Sequence, residues 1–456
     1  MMGITERLAA FVVDTAFADV PSQAYDRAKE AILDGLGCAL VGSPTAVGQT
    51  ITRYVRQRGE AMHAAVIGSG FKSSAPLAAL ANGTMAHALD YDDVNWRLSG
   101  HPTVPLLPAV LALGQGVRAS GEEVLLAYAI GFEVESKIGL GVNPRHYDLG
   151  WHATSTLGTL GASAACAKLL RLDVTHTRMA LGIAASTAAG LRQNFGTMTK
   201  PLHPGQAAMN GVTAAQLAQL GWTADANILE APYGFCRLYA GAGQHDLGDV
   251  VKQLGNPYEL LTSGVAIKQY PCCAFTHRAL DGMLALVQQE ALRAEDVAAV
   301  ECRVGRPTTE VLIHTRPHTG LEGKFSMQYC LAAALLDKRV GLLTFSDEQV
   351  RRPAAQQLFG RITMTLHPEA ERQGGDGEAL PVTVAVTHKD GRTFAAQVQY
   401  PKGHPANPLS PTAMQEKFED CAFGVLERPD IRKVIELVQG LERVAEIGTL
   451  MDVLMA

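Results

Sequence analysis

Two stretches of this chain, 179–191 (MALGIAASTAAGL) and 206–222 (QAAMNGVTAAQLAQLGW), contain no charged residue. A helix at a protein surface carries a polar stripe, so segments without one belong in the interior. The connection between them, 194–205 (NFGTMTKPLHPG), nevertheless holds Lys200 and His203, with Arg192 just before it. A loop between two buried segments dips inward, and an interior lysine is rare unless it is paired or used. A fold that tolerates this pattern has a large core with a polar pocket inside it.

Composition agrees with a large core. At 456 residues the chain exceeds what one core usually serves, which predicts two domains. A hydrophobic fraction of 47% and a charged fraction of 18% describe a buried, globular chain. The net charge of −6 offers nothing to nucleic acid or to an anionic membrane, so an anionic ligand needs local counter-charges. The start, MMGITERLAAFVVDTAF, carries Glu6 and Asp14 and does not read as a secretory signal, and no apolar run is long enough for a bilayer span. These features predict a cytoplasmic protein. Eight scattered cysteines form no CxxC pair, which argues against a zinc site or a disulfide framework.

The first ~260 residues repeat apolar positions at three- and four-residue spacing, as in SQAYDRAKEAILDGLGCAL, VPLLPAVLALGQGVRA and STLGTLGASAACAKLLRL. Their abundant Gly, Ala and Ser allow close helix approach and predict a compact bundle. Near Gly264 the period changes. DVAAVECRVG, ITMTLH and PVTVAVTHKDGRTFAAQVQY alternate like strands, and Asp390-Gly391 predicts a hairpin pairing 382–387 with 392–400. HRALDGMLALVQQEA and DEQVRRPAAQQLFG read as helices between the strands, the second with Ser346 and Gln349 as a capping box. The stretch 401–411 is Pro-rich, and two helices follow that could cap either domain.

Standard catalytic signatures fail. GSGFKS (68–73) lacks phosphate-loop spacing, GLGVNP (139–144) follows a helix and has no third glycine, and neither GxSxG nor HExxH occurs. His314 and His318 could share a face only on a helix, which Pro317 disfavours, and adjacent Cys272 and Cys273 read as packing or site-lining residues. Four polar segments beside apolar helices remain: HALDYDDVNWRLSGHPTVPLLPA with Asp90, Asp92, Asp93 and His101; NPRHYDLGWHATSTLG with His146, Tyr147 and His152; the segment with Lys200 and His203; and IKQYPCCAFTHRALDG with Lys268, Cys272, Cys273 and His277. Each alone has a plain structural explanation: capping aspartates, a histidine bonding local backbone, a lysine paired with a carboxylate, a surface strand lysine. Together they describe one polar pocket, in a cleft between the domains, where lysines hold a small anionic substrate and histidines move protons.

These segments, with EGKFSMQYCLAAALLD as a fifth, resemble in order and over nearly the whole chain the signatures of the MmgE/PrpD family. That family includes 2-methylcitrate dehydratase, cis-aconitate decarboxylase and iminodisuccinate epimerase. The resemblance implies a mainly α fold: a large all-helical domain formed by both chain ends (1–265 and 401–456) with an inserted smaller α+β lid domain (266–400). It implies a homodimer, no metal and no organic cofactor. By motif, Asp93, His101, His152, Lys200 and Lys268 fall at the family's active-site positions, and Tyr147, Cys273, His277 and Tyr329 line the pocket.

The family chemistries share one event, the development of negative charge on carbon beside a carboxylate. Lys200 and Lys268 are therefore assigned to carboxylate binding and charge stabilisation, either one able to carry the proton if burial lowers its pKa. His101 and His152 are the acid/base pair, and Asp93 orients one imidazole. On this view the substrate supplies the counter-charge for Lys200. The expected activity is a lyase on a small di- or tricarboxylate, first a dehydratase of the 2-methylcitrate type. The alternatives are an epimerase or isomerase of an iminodisuccinate-like dicarboxylate, a cis-aconitate decarboxylase-like enzyme, or a non-catalytic carboxylate binder. Cys273 and His277 stand where decarboxylase members resemble PAH, which ranks that chemistry lower.

Overall fold

The computed structural model describes residues 2–59, 61, 63–248, 250–369 and 380–455. They form two compact units. The first comprises Met1–Asn194, Met198–Ala266 and Ser410–Ala456; the second comprises Phe195–Thr197 and Ile267–Leu409. The fold is mainly α with a smaller α+β region. Among the described residues no single helix is long and apolar enough to cross a membrane.

The first unit is built on helices Ala75–Ala86, Thr103–Val117, Gly121–Val142, Ala153–Leu169 and Thr199–Gln219, whose faces are buried nearly all round. Small residues make this possible. At Gly205 an added Cβ would stand 2.3 Å from the Leu80 carbonyl oxygen and 2.2 Å from Thr84 Oγ1. Thus the helices Ala75–Ala86 and Thr199–Gln219 cross backbone against backbone, which only glycine allows. The unit also contains a small hairpin, Ala64–Val66 with Phe71–Ser73, and GSGFKS is its turn and second strand.

Two local readings are revised. The segment 194–205 is not all connection, because the last helix begins at Thr199 and carries Lys200 and His203 in its opening turns. Pro201 sits in the first turn, where a missing N–H costs nothing, and Pro204 follows it inside the helix. DEQVRRPAAQQLFG is two short helices, Asp347–Arg351 and Pro353–Leu358, because Pro353 forces Arg352 out of the helical region. Ser346 accepts from the Gln349 N–H at 3.2 Å, so the N-cap forms.

The second unit holds a four-stranded sheet in the order Ile362–Leu366, Val297–Val304, Val382–His388, Thr393–Val398. The first pair is parallel and the others antiparallel. The Asp390-Gly391 turn closes the hairpin, pairing Val382 with Val398 and Thr387 with Thr393, and Gly391 takes φ +92°. Alternate buried residues, Val382, Val384 and Val386, face helix His277–Gln289, which packs on the last two strands.

Candidate functional site

Helix Ala75–Ala86 ends at His87, and a turn carries the chain to Asp93. Asp90 takes φ +53°, the left-handed region that Asp and Asn tolerate best among residues with a side chain. This bend sends successive carboxylates to different partners. His101 lies just before helix Thr103–Val117, and His152 is the N-cap of Ala153–Leu169. Lys200 and His203 lie three residues apart on the opening turns of Thr199–Gln219 and so share a face.

The polar groups form a continuous chain inside the first unit. Lys200 Nζ stands 3.1 Å from Asp90 Oδ2, and Asp90 Oδ1 is 3.7 Å from His101 Nε2. His101 Nδ1 faces the Asp93 carbonyl oxygen at 2.8 Å and Asp92 Oδ2 at 3.1 Å. Asp92 also accepts from His87 Nδ1, with both oxygens within 2.9 Å. The His87 ring lies 4.6 Å from that of His101 and 6.0 Å from that of His152. His152 Nδ1 in turn meets His203 Nδ1 at 2.9 Å.

The charge states follow from burial and neighbours. Burial drives the His87 pKa down to about 3. Burial also opposes charge on Asp92, but His87 and His101 outweigh it and hold this carboxyl well below its ordinary range. A neutral His87 therefore donates Nδ1–H to an ionised Asp92. Among the described residues, its buried Nε2 has no hydrogen-bond partner. Burial, reinforced by His203 and Lys200, depresses His152, and burial with Lys200 lowers His203 to about 4. Near neutral pH both rings of that pair are uncharged, so one Nδ1–H donates to the other Nδ1.

Two expectations about roles are corrected. The carboxylate that holds imidazoles is Asp92, and Asp93 meets His101 through its carbonyl oxygen. The Asp93 carboxyl turns to Thr103, 2.5 Å from Oγ1, and Thr103 Oγ1 is 2.6 Å from the Tyr128 hydroxyl. Burial pushes Asp93 well above the carboxylate range despite the Thr103 hydrogen bonds. The second correction concerns Lys200: Asp90, not a substrate alone, supplies its counter-charge.

Other expected residues have structural partners. His146 contacts Thr156 Oγ1 at 2.7 Å and the Tyr239 carbonyl at 3.2 Å. The Tyr147 ring lies under the Arg192 guanidinium at 3.8 Å, and its carbonyl accepts from Arg192. In the second unit, Lys268, Cys273, His277 and Tyr329 are all buried. His277 Nε2 faces the Cys272 carbonyl at 3.2 Å, and Cys273 N–H donates to the Lys324 carbonyl. Tyr329 donates its hydroxyl to the Thr344 carbonyl and packs edge-on against Phe345 and Phe359. Cys272 and Cys273 are free thiols.

Sequence reasoning missed His87 and left His203 without a role. His87 opens the quoted HALDYDD segment, five residues before the carboxylate it holds, but such a turn has no period that would flag the pair. His87, Asp90, Asp92 and His101 each offer a ligand atom within 4.8 Å of the others, a set that could hold a cation. The Lys200 ammonium already stands beside Asp90 and would oppose a metal ion there.

Comparison with known proteins adds a family. The MmgE/PrpD N-terminal domain model matches residues 6–247, and the MmgE/PrpD C-terminal domain model matches 270–443. Cis-aconitate decarboxylase of Mus musculus is 29% identical across 99% of this chain and 93% of its own length. The Aspergillus terreus cis-aconitate decarboxylase is also 29% identical, over 99% of this chain and 96% of its own. The 2-methylcitrate dehydratase of Cupriavidus necator is 25% identical over 84% of this chain and 82% of its own. With both domain models matched in order, this chain belongs to the MmgE/PrpD family and is a lyase of that family's type.

Proposed function

We infer that this lyase acts on a small di- or tricarboxylate by developing negative charge on carbon beside a carboxylate, and that a cis-aconitate-like tricarboxylate is the first substrate to test. The observation that carries the reading is the buried chain Lys200–Asp90–His101–Asp92–His87, beside the His152–His203 pair. It joins a cation for a carboxylate to two imidazole systems that can exchange protons. The full-length likeness to cis-aconitate decarboxylases supports decarboxylation over the dehydration ranked first from sequence. Dehydration of a 2-methylcitrate-like substrate is the second reading, supported by the dehydratase relative.

The chemistry runs through the same groups in either case. A substrate carboxylate joins Asp90 at Lys200. His101 keeps its proton on Nδ1, held by the Asp93 carbonyl and Asp92, so Nε2 is the basic nitrogen. His152 Nδ1 and His203 Nδ1 share one proton at 2.9 Å; in this reading His203 supplies it, so that His152 carries its own proton on Nε2 and is the donor. In decarboxylation the carbon–carbon bond to the leaving carboxylate breaks, its electron pair spreads through the adjacent C=C as an enolate-like anion conjugated with a remaining carboxylate, and His152 protonates a carbon of that anion. In dehydration His101 removes the proton beside the carboxylate, and His152 protonates the departing hydroxyl. The enzyme works as a homodimer in this reading, which light scattering behind a sizing column checks.

The test is a substrate panel with the purified chain. Carbon dioxide release from cis-aconitate supports the first reading, and alkene formation from 2-methylcitrate supports the second. In either case a folded Lys200→Ala variant should be inactive. Full activity in that variant refutes the assignment, and silence of the wild type across the panel refutes the substrate class.

A further inference from the structure

The turn 88–93 carries three of the site's carboxylates, and its middle residue, Tyr91, is only half-buried. What braces it comes from the far end of the chain. Helix Pro411–Ala422 packs on helix Ser22–Gly42, where Gly37 leaves room for Phe418 and Cys421. This docking brings Lys417 into the core, 8% exposed, with its ammonium 2.5 Å from Asp34 Oδ1. The same ammonium donates to the Tyr91 carbonyl at 2.9 Å and stands 3.9 Å from the centre of the Tyr91 ring. Burial pulls against the charge, but Asp34, helped by Cys38, Tyr91 and Cys421, holds Lys417 above the ordinary lysine range.

A buried cation with a buried carboxylate is not needed for stability, since apolar residues often replace such a pair without loss. Here the pair has a second contact that apolar residues cannot reproduce. The Tyr91 carbonyl lies between Asp90, which faces Lys200, and Asp92, which holds His87 and His101. We propose that Lys417 is a positioning residue for the candidate site: buried against Asp34, it grips the Tyr91 carbonyl and ring and thereby fixes where Asp90 and Asp92 present their carboxylates. Lys417 is not one of the proposed reacting groups; it acts through the turn. The proposal rests on the functional reading above for its kinetic consequence, and its structural consequence stands apart from that reading.

Two variants test it. Lys417→Met with Asp34→Val removes both charges, so no lone ion is left in the core. Lys417→Arg keeps the charge against Asp34 but replaces a compact ammonium with a planar, longer group. In both, kcat should fall by roughly 10- to 100-fold, with KM within about threefold of wild type, because the turn and not the carboxylate-binding cations has moved. The melting temperature of Lys417→Arg should be nearly that of wild type, so lost folding cannot explain its lost rate. A folded Lys417→Arg variant with wild-type kcat overturns the proposal, whether or not the double variant folds. If the wild type turns over no substrate in the panel, the functional reading fails, and amide hydrogen exchange decides the positioning role. Lys417→Arg should then exchange faster within 87–101 and not elsewhere, and identical exchange there overturns the proposal.

Discussion

Substituting Asp90 by Asn isolates the ion pair at the centre of the site. Lys200 Nζ and Asp90 Oδ2 are 3.1 Å apart, with both side chains only 5% exposed. At that distance, with an effective dielectric of about 20, the attraction is roughly 5 kcal/mol. Desolvation of the two ions offsets much of it, so the pair as a whole contributes little net stability. Removing one partner is different, because a buried charge loses its ion-pair partner, at up to about 3–5 kcal/mol. Asn is suited to the test because it accepts the φ of +53° at position 90 as readily as Asp, which keeps backbone strain out of the result. Adding Lys200→Met to Asp90→Asn should restore stability to within about 1 kcal/mol of wild type while leaving the chain inactive. The three tryptophans, Trp96, Trp151 and Trp222, all lie in the first unit, so their fluorescence in urea follows the unit that holds the pair. If the two substitutions cost stability additively, the charges are not coupled and the argument fails.

Three further expectations follow from single contacts. Burial lowers His146 from 6.5 to about 4, against the pull of the Tyr239 carbonyl, so it is neutral when folded and must gain a proton on unfolding in acid. Its contribution is complete above pH 6.5 and is lost as pH falls toward 4; the stability advantage of wild type over His146→Gln should shrink by roughly 3 kcal/mol across that window in urea titrations. His203→Phe removes the partner of His152 Nδ1, and steady-state kinetics should show kcat lower by about 10²–10⁴-fold with KM little changed. Gly205→Ala forces a Cβ to within 2.3 Å of the Leu80 carbonyl, and unfolding curves should register a loss of roughly 1–3 kcal/mol.

Regular elements were legible because their signals are periodic. The charge-free helices, the alternating strands and the Asp390-Gly391 hairpin each repeat a local rule many times. Proline marks where that legibility ended. Pro201 and Pro204 made the start of the Thr199–Gln219 helix look like a connection, and Pro353 divided a helix that the apolar spacing ran through. The candidate site was half legible for a related reason. His101, His152 and Lys200 stood out as polar residues in apolar surroundings. The choice between Asp92 and Asp93 depends on a left-handed bend at Asp90 that no spacing encodes. The grip of Lys417 on Tyr91 spans |i−j| of 326, beyond any local pattern.

The most direct test of the central claim is proton NMR in deuterated water with the purified enzyme and cis-aconitate or 2-methylcitrate. If charge develops on carbon beside a carboxylate and a solvent-exchangeable imidazole completes the step, decarboxylation must leave deuterium at one end of the allylic anion it creates, either the carbon that lost carbon dioxide or the carbon beside a remaining carboxylate. In the dehydration case, the proton beside the substrate carboxylate must exchange with deuterium at a rate abolished in Lys200→Ala. Product formed without deuterium at either of those carbons, or exchange that survives in a folded Lys200→Ala variant, would contradict the account.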